Sequence, residues 1–372
     1  MKTPIGKFFT FILLIFAFSF SMAENPHAPE AATHVDEKAQ RRTEIQADIE
    51  HHLQDSHFYG IFGDKEKGVY YGFPLPVILI DNGLKVFSSS EFDHGKKLVE
   101  KDGIFYKLYH NKIYKTDAQG TINYDEHHHA MNEKPLDFSI TKNVFNIILT
   151  GVILLLLFGA MAKGYRKSMV PKGVSSFLEP IVLYVKDEIA IPNIGEKHYK
   201  KFMGFLLTVF FFVWFLNMLG ISPLAANVTG SVAVTFALAL IVLIITLAKG
   251  GKTYWLHIFD PLGNTMPWIA KIPLYILLIP IEILGIFIKP FSLMIRLYAN
   301  ITAGHYVMMG LLGIIFIERS IGMSSFSFVL AFVIFIIEFF VALLQAYIFT
   351  MLASLYFGFA VQEHHHDHEE AH

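Results

Sequence analysis

Apolar residues in this chain gather into runs far longer than any strand or core helix needs. Such runs cover approximately 140–162, 202–221, 229–248, 273–317 and 326–357. A helix crossing the hydrocarbon layer takes about 20 residues, so these read as five membrane helices. The fourth is too long for one perpendicular crossing. Its 45 residues would extend about 65 Å as a single helix, roughly twice the hydrocarbon thickness. The prediction is a helix bent or tilted around Lys289-Pro290, a turn within "ERSIGMSS", and an antiparallel partner from Phe326 to Phe357.

The pattern before residue 140 is different. Lys2 and Lys7 precede an apolar stretch, Phe8 to Phe20, and then Ser21-Met22-Ala23. Basic flank, short apolar core and small residues predict a cleaved signal peptide over 1–23. The alternative is a retained first helix, for which the run is short. Residues 24 to about 55 are polar and rich in His, Glu, Ala and Gln. From 57 to 125 the apolar positions alternate as strands do. "VILIDNGLKVF" carries Asp-Asn-Gly between apolar strands, a hairpin signal because the turn needs positive φ. "IFYKLYHNKIYK" alternates around His110-Asn111. Residues 24–139 therefore predict an exported polar segment and a small β-rich domain, and 140–360 a membrane domain, followed by a His/Glu-rich tail, 361–372. The predicted fold class is an all-α polytopic membrane protein with a β-rich N-terminal domain.

Composition narrows the function. Hydrophobic residues make up 53% of the 372, Phe alone contributes 36, and mean hydropathy is +0.46. With no cysteine, a disulfide framework, a thiolate metal site and an iron–sulfur cluster are excluded. No basic stripe suggests nucleic acid, and no Walker-type glycine loop suggests a nucleotide. Basic residues from Lys163, Arg166 and Lys167 through Lys200 and Lys201 put the loop after the first span in the cytoplasm. Lys249, Lys252 and Lys271 do the same for 249–271, and the C-terminal tail falls on the inside. The terminal "HEEAH", His368 to His372, matches a zinc-protease pattern but has no following segment to supply a third ligand. His127 to His129 and His364 to His366 read as solvated segments, and the Asn300-Ile301-Thr302 sequon lies at membrane depth. The residues suggest no catalytic site, metal or cofactor.

The last hairpin carries the candidate chemistry. Between Lys289 and Glu318 lie 28 residues whose one formal charge is Arg296. Charge at the bilayer centre costs from about 2.5–3.5 to about 10–17 kcal/mol, so Arg296, His305, Glu338 and Gln345 call for an account. The structural alternative is helix–helix hydrogen bonding, or snorkelling toward Lys289. Helical spacing puts Glu282, Lys289 and Arg296 on one stripe, continued by Ala299, Asn300, Ala303, Val307 and Gly310. Small residues there let a partner helix approach. His305 falls on the opposite side. In an antiparallel hairpin, pairing Arg296 with Gln345 and His305 with Glu338 puts the turn near residue 321 in both cases, so the two pairs reach matching depth. Histidine beside a carboxylate exchanges protons near neutral pH. Arginine keeps its proton but favours ionisation of a passing acid, and that acid would belong to a partner.

"IKPFSLMIRLYANITAGHY" followed by "FIIEFFVALLQAYIF" resembles the a subunit of the F-type ATP synthase. "KHYKKFMGFLLTVFFFVWFLNMLGISP" and "AANVTGSVAVTFALAL" extend the resemblance over roughly 140–360. It implies a stator proton channel whose partners are a rotating c-subunit ring, a b-type peripheral stalk, the remaining synthase subunits and membrane lipid. It also implies a setting in the bacterial inner membrane. Arg296 matches the arginine that displaces the proton from each ring carboxylate, Asn300 and Gln345 its polar neighbours. Glu282 and Ser292, with Lys289 between them, match the cytoplasmic side of the interface. His305 stands where familiar members carry Glu, Glu338 where they carry His, and Gly220 replaces a familiar acidic residue. The expectation is that His305 and Glu338 line the outward half-channel together. A secondary transporter of a solute or ion is the alternative reading, but no internal repeat supports it.

Overall fold

The computed structural model describes residues 40–46, 54–64, 69–127, 129–167, 173–222, 227–260, 268–318 and 321–361. The expected signal peptide, most of the polar segment after it, His128, and the His/Glu tail from 362 with its "HEEAH" lie outside the described residues.

The β-rich region is present. Eight strands, β1 (Phe58–Asp64), β2 (Val69–Pro74), β3 (Pro76–Ile80), β4 (Leu84–Ser88), β5 (Val99–Lys101), β6 (Ile104–Tyr109), β7 (Lys112–Thr116) and β8 (Leu136–Asp137), form three small antiparallel sheets. These are β1-β2, β4-β3-β8 and β5-β6-β7. Both expected hairpins occur. Asn82 and Gly83 turn β3 into β4 at φ 50° and 131°, and His110 and Asn111 turn β6 into β7 at 46° and 58°. Two positive-φ residues match the twist of the flanking strands. Alternation directs Val77, Leu79, Phe87, Tyr106 and Ile113 into one core.

A buried polar cluster closes the turn onto the neighbouring sheet. Asp81 accepts from Lys115 at 2.9 Å and from the Tyr106 hydroxyl at 2.8 Å, and Lys115 also reaches Glu133 at 2.8 Å. The Lys115 hydrogen bond, reinforced by Tyr106, holds the Asp81 carboxyl below the usual range. Burial and the same carboxylate push the Tyr106 phenol up.

Helix α1 (Lys142–Lys167) follows β8 almost without a linker. The strand hydrogen bonding continues from the Phe138 N–H to the Ile78 carbonyl and from the Ile140 N–H to the Pro76 carbonyl. The Lys142 N–H then donates to the Ser56 carbonyl, and the Asn143 N–H to an Asp55 carboxylate oxygen. Both donors belong to the first helical turn, which has no intrahelical acceptors. Tyr59 donates to Asn146 at 3.2 Å and packs against Phe145, as does Phe73.

The membrane part continues with α2 (Val174–Tyr184), which passes through a π-helical stretch, Val185–Ala190, into the last turn, Ile191–Ile194. After it come α3 (Tyr199–Ile221), α4 (Val232–Lys249), α5 (Lys252–Phe259), α6 (Trp268–Glu318) and α7 (Ile321–Val361). Five of these, α1, α3, α4, α6 and α7, are long and apolar enough to cross a membrane. Helices α2 and α5 lie in segments expected as loops. Net basic charge reports sidedness but not periodicity. In α2 the buried Leu178, Val185 and Ile189 recur on one stripe and join the main core. Helix α6 runs unbroken through Pro273, Pro280 and Pro290, about 75 Å if straight. Membrane helices tolerate such prolines because neighbouring groups re-satisfy the freed backbone.

Helix α7 packs through small residues. Ala342, Ala346, Ala353 and Ala360 are fully buried, with Phe349 and Phe357 on the same stripe. Phe357 stacks on Phe202 of α3 at 4.8 Å. Gly358 lies directly on the backbone of Asn193, whose side chain donates to Ser354 at 3.0 Å. Small residues are what let membrane helices approach closely.

Because Asp81 is held ionised, its contribution to stability is complete above about pH 4, the range of an unperturbed carboxyl. That contribution is lost as pH falls and the folded carboxylate protonates. Asp81→Asn is expected to destabilise the β-rich region by about 1–3 kcal/mol and to flatten this acid dependence. Urea titration of the full chain followed at the β signal between pH 7 and 3 checks both outcomes.

Candidate functional site

Helices α6 and α7 meet as the expected hairpin, α6 ending at Glu318 and α7 starting at Ile321. Their contact is made by polar groups at intervals. Asn300 Nδ2 donates to Gln345 Oε1 at 2.8 Å, and Gln345 is buried. Its amide nitrogen has no partner among the described residues.

Arg296 lies one turn before Asn300 and is half-buried. Leu293, Leu297 and Ile301 turn inward, while Ser292, Ala299, Ala303 and Val307 stay exposed. The guanidinium therefore stands at the edge of a small-residue face that the chain itself leaves open. It makes no ion pair or hydrogen bond among the described residues, and its field reaches Tyr356 of α7.

Glu338 is placed by a glycine. A Cβ on Gly304 would collide with the Glu338 carboxylate, so any larger residue there would displace it. Both carboxylate oxygens are buried and lack a partner among the described residues. His305, the next residue along α6, is buried at 4% exposure. The two groups do reach the same depth. They form no hydrogen bond, however, because the glycine lets the glutamate settle over residue 304 while the imidazole leaves the helix about 100° further round.

At the other end of the hairpin, Glu282 is half-buried and Lys289 and Ser292 are exposed. The Lys289 ammonium lies 5.9 Å from the Tyr356 ring centre and 5.7 Å from that of Phe359. They line a narrow cleft with Thr246 and Tyr254. Burial, with Glu282 nearby, pushes the Tyr254 phenol up. Tyr254 comes from α5, so a reading that took this stretch as loop could not place it.

Further buried polar groups on the β-rich side went unnoticed in the sequence. Asn146 and Thr150 of α1 are fully buried and one turn apart. Asn217 of α3 accepts from Thr229 at 2.8 Å. A polar residue every third or fourth position inside an apolar run was the available signal.

Five apolar helices with a polar seam inside the last two define a polytopic membrane protein whose ionisable groups are gathered at one helix pair. The chain belongs to the ATP synthase A chain family, whose model matches residues 144–358. A second match, over residues 48–138, is to a domain of unknown function, DUF8433. The ATP synthase subunit a of Myxococcus xanthus is 41% identical over 245 residues, 63% of this chain and 79% of the relative. That of Anaeromyxobacter sp. is 40% identical over 262 residues, 67% of this chain and 62% of the relative. The ATP synthase subunit a 2 of Chlorobaculum tepidum is 38% identical over 287 residues, 74% and 77%. The matched region thus spans less than two thirds of the Anaeromyxobacter protein.

The glycine under Glu338 is testable. Gly304→Ala is expected to cost about 1 kcal/mol, the low end of overpacking, because the flexible Glu338 side chain can swing off the new methyl, read as slightly earlier thermal unfolding in detergent. Gly285→Ala on the same helix, where a Cβ meets nothing within 4 Å, should leave the transition in place.

Proposed function

We propose that the chain is the stator proton-channel subunit of an ATP synthase Fo sector. It would work against a ring of c subunits and be held by a b-type peripheral stalk and the remaining subunits. The observation that carries this reading is Arg296: a cation with no ion pair or hydrogen bond among the described residues, at the rim of an open face of Ala299, Ala303 and Val307. A carboxylate carried past on another helix is the group this face lacks.

The chemistry follows from the residue types. A ring carboxylic acid meeting Arg296 ionises, because a fixed positive neighbour favours the anion, and the guanidinium itself does not give up a proton. Asn300 and Gln345, hydrogen-bonded to each other, fix the adjoining surface of α6 and α7. On the β-rich side, His305 and Glu338 at one depth supply the groups that pass a proton to the ring. On the opposite side, Glu282, Lys289 and Ser292 line the way out. The two paths meet only through ring rotation, and a potential of 100 mV contributes about 2.3 kcal/mol per proton. ATP chemistry belongs to other subunits. The β-rich domain lies outside a bacterial inner membrane, after removal of residues 1–23, and the C-terminus lies in the cytoplasm.

Arg296→Ala in the assembled complex is expected to abolish ATP-driven acidification of reconstituted vesicles while the ring still co-purifies. Unchanged pumping would reject the reading. His305→Ala is expected to slow passive proton flux several-fold without preventing assembly, measured as decay of an imposed pH gradient. Equal decay in variant and parent removes His305 from the path.

A further inference from the structure

The β4-β3-β8 sheet is apolar on both faces. One face, with Val77, Leu79 and Phe87, is packed into the domain core. On the other, the register sets Leu84, Ile80 and Leu136 in one row and Val86, Ile78 and Phe138 in the next. Leu84, Val86, Leu136 and Phe138 are 60–69% exposed. An antiparallel strand with one wet face ordinarily alternates apolar and polar residues, and a contiguous apolar patch on a surface marks an interaction site.

Two independent features indicate what covers this face. First, the sheet leads straight into a membrane span: β8 stays bonded to β3 as far as Ile140, and α1 begins at Lys142. Val144, Ile148 and Val152, at helical spacing from the first turn of α1, are exposed and apolar, as a lipid-facing stripe is. Second, the β1-β2 hairpin lies beside α1 rather than above it. Phe73 packs 5.4 Å from Phe145, and Tyr59 reaches Asn146. Phe73 therefore lies level with the first two turns of a membrane helix, where aromatic residues gather at the membrane–water boundary, and the exposed Tyr71 lies two residues away on the same strand.

We propose that the outer face of the β4-β3-β8 sheet is a lipid-docking surface. It lies in the interfacial layer of the leaflet in which α1 begins, its apolar side chains covered by the boundary between phospholipid headgroups and acyl chains. Amphipathic surfaces seat themselves about 5–10 Å into that boundary. The proposal does not depend on proton translocation.

The absence of cysteine permits single-site spin labelling at Leu84→Cys, Phe138→Cys or Tyr71→Cys in the full chain, reconstituted in phosphatidylethanolamine/phosphatidylglycerol liposomes. At each site collisions with oxygen should exceed those with a water-soluble nickel chelate several-fold, with Phe138 deeper than Leu84. Gln119→Cys, on an exposed turn, should show the reverse. Water-like accessibility at Leu84 and Phe138 would overturn the proposal. Dipolar broadening that grows with protein-to-lipid ratio would also overturn it, by showing a second copy on the face. So would shielding seen only in the assembled complex, which would put another subunit there.

Discussion

A guanidinium set among hydrocarbon has to be met by something polar, and Arg296 is met by nothing among the described residues of its own chain. The cost of leaving such a group bare, at least about 2.5–3.5 kcal/mol at a helix centre, is the constraint around which the last hairpin is arranged. The face beside it is lined with Ala299 and Ala303, exposed and too small to cover the charge themselves. The opposite face, with Leu293, Leu297 and Ile301, is committed to the interior. One helix thus holds a finished side and an unfinished one.

The finished side owes its register to small residues and side-chain amides together. Glycine at 304 admits the Glu338 carboxylate, and the Asn300–Gln345 hydrogen bond pins the next turns of the hairpin. Alanines at 342, 346, 353 and 360 bring the C-terminal half of α7 against its neighbours. Lipid offers no hydrophobic drive for helices to associate, so close packing and interhelical hydrogen bonds must supply it. Within that tight frame Glu338 keeps both oxygens without a partner among the described residues.

Much of this was legible before any coordinates. Length and apolarity fixed the five long helices, and two turn signals, Asp-Asn-Gly and His-Asn, fixed two hairpins. Spacing alone separated the Arg296 face from the His305 side. Other features were not legible, for identifiable physical reasons. Helices α2 and α5 were hidden because charge counting says which side a segment is on, not whether it coils. Hairpin spacing set the depth of Glu338 but not its lateral contact, which is decided by where the helix is thin, at Gly304. Tyr254 and Asn217 enter the picture only through tertiary neighbours, since a single polar residue in an apolar run gives no hint of what it will face.

The nearly linker-free passage from β8 into α1 bears on how the chain is made. The sheet's last strand is also the last segment synthesised before the first described span, so β3 waits for its partner until residue 140 has cleared the machinery that delivers it. Once β8 is paired and Lys142 is bonded to Ser56, the folded sheet is a stopper at the head of α1. It is too bulky to slide back through a bilayer, and no slack lies between it and the helix. On whichever side the strands close, the start of α1 is held on that side.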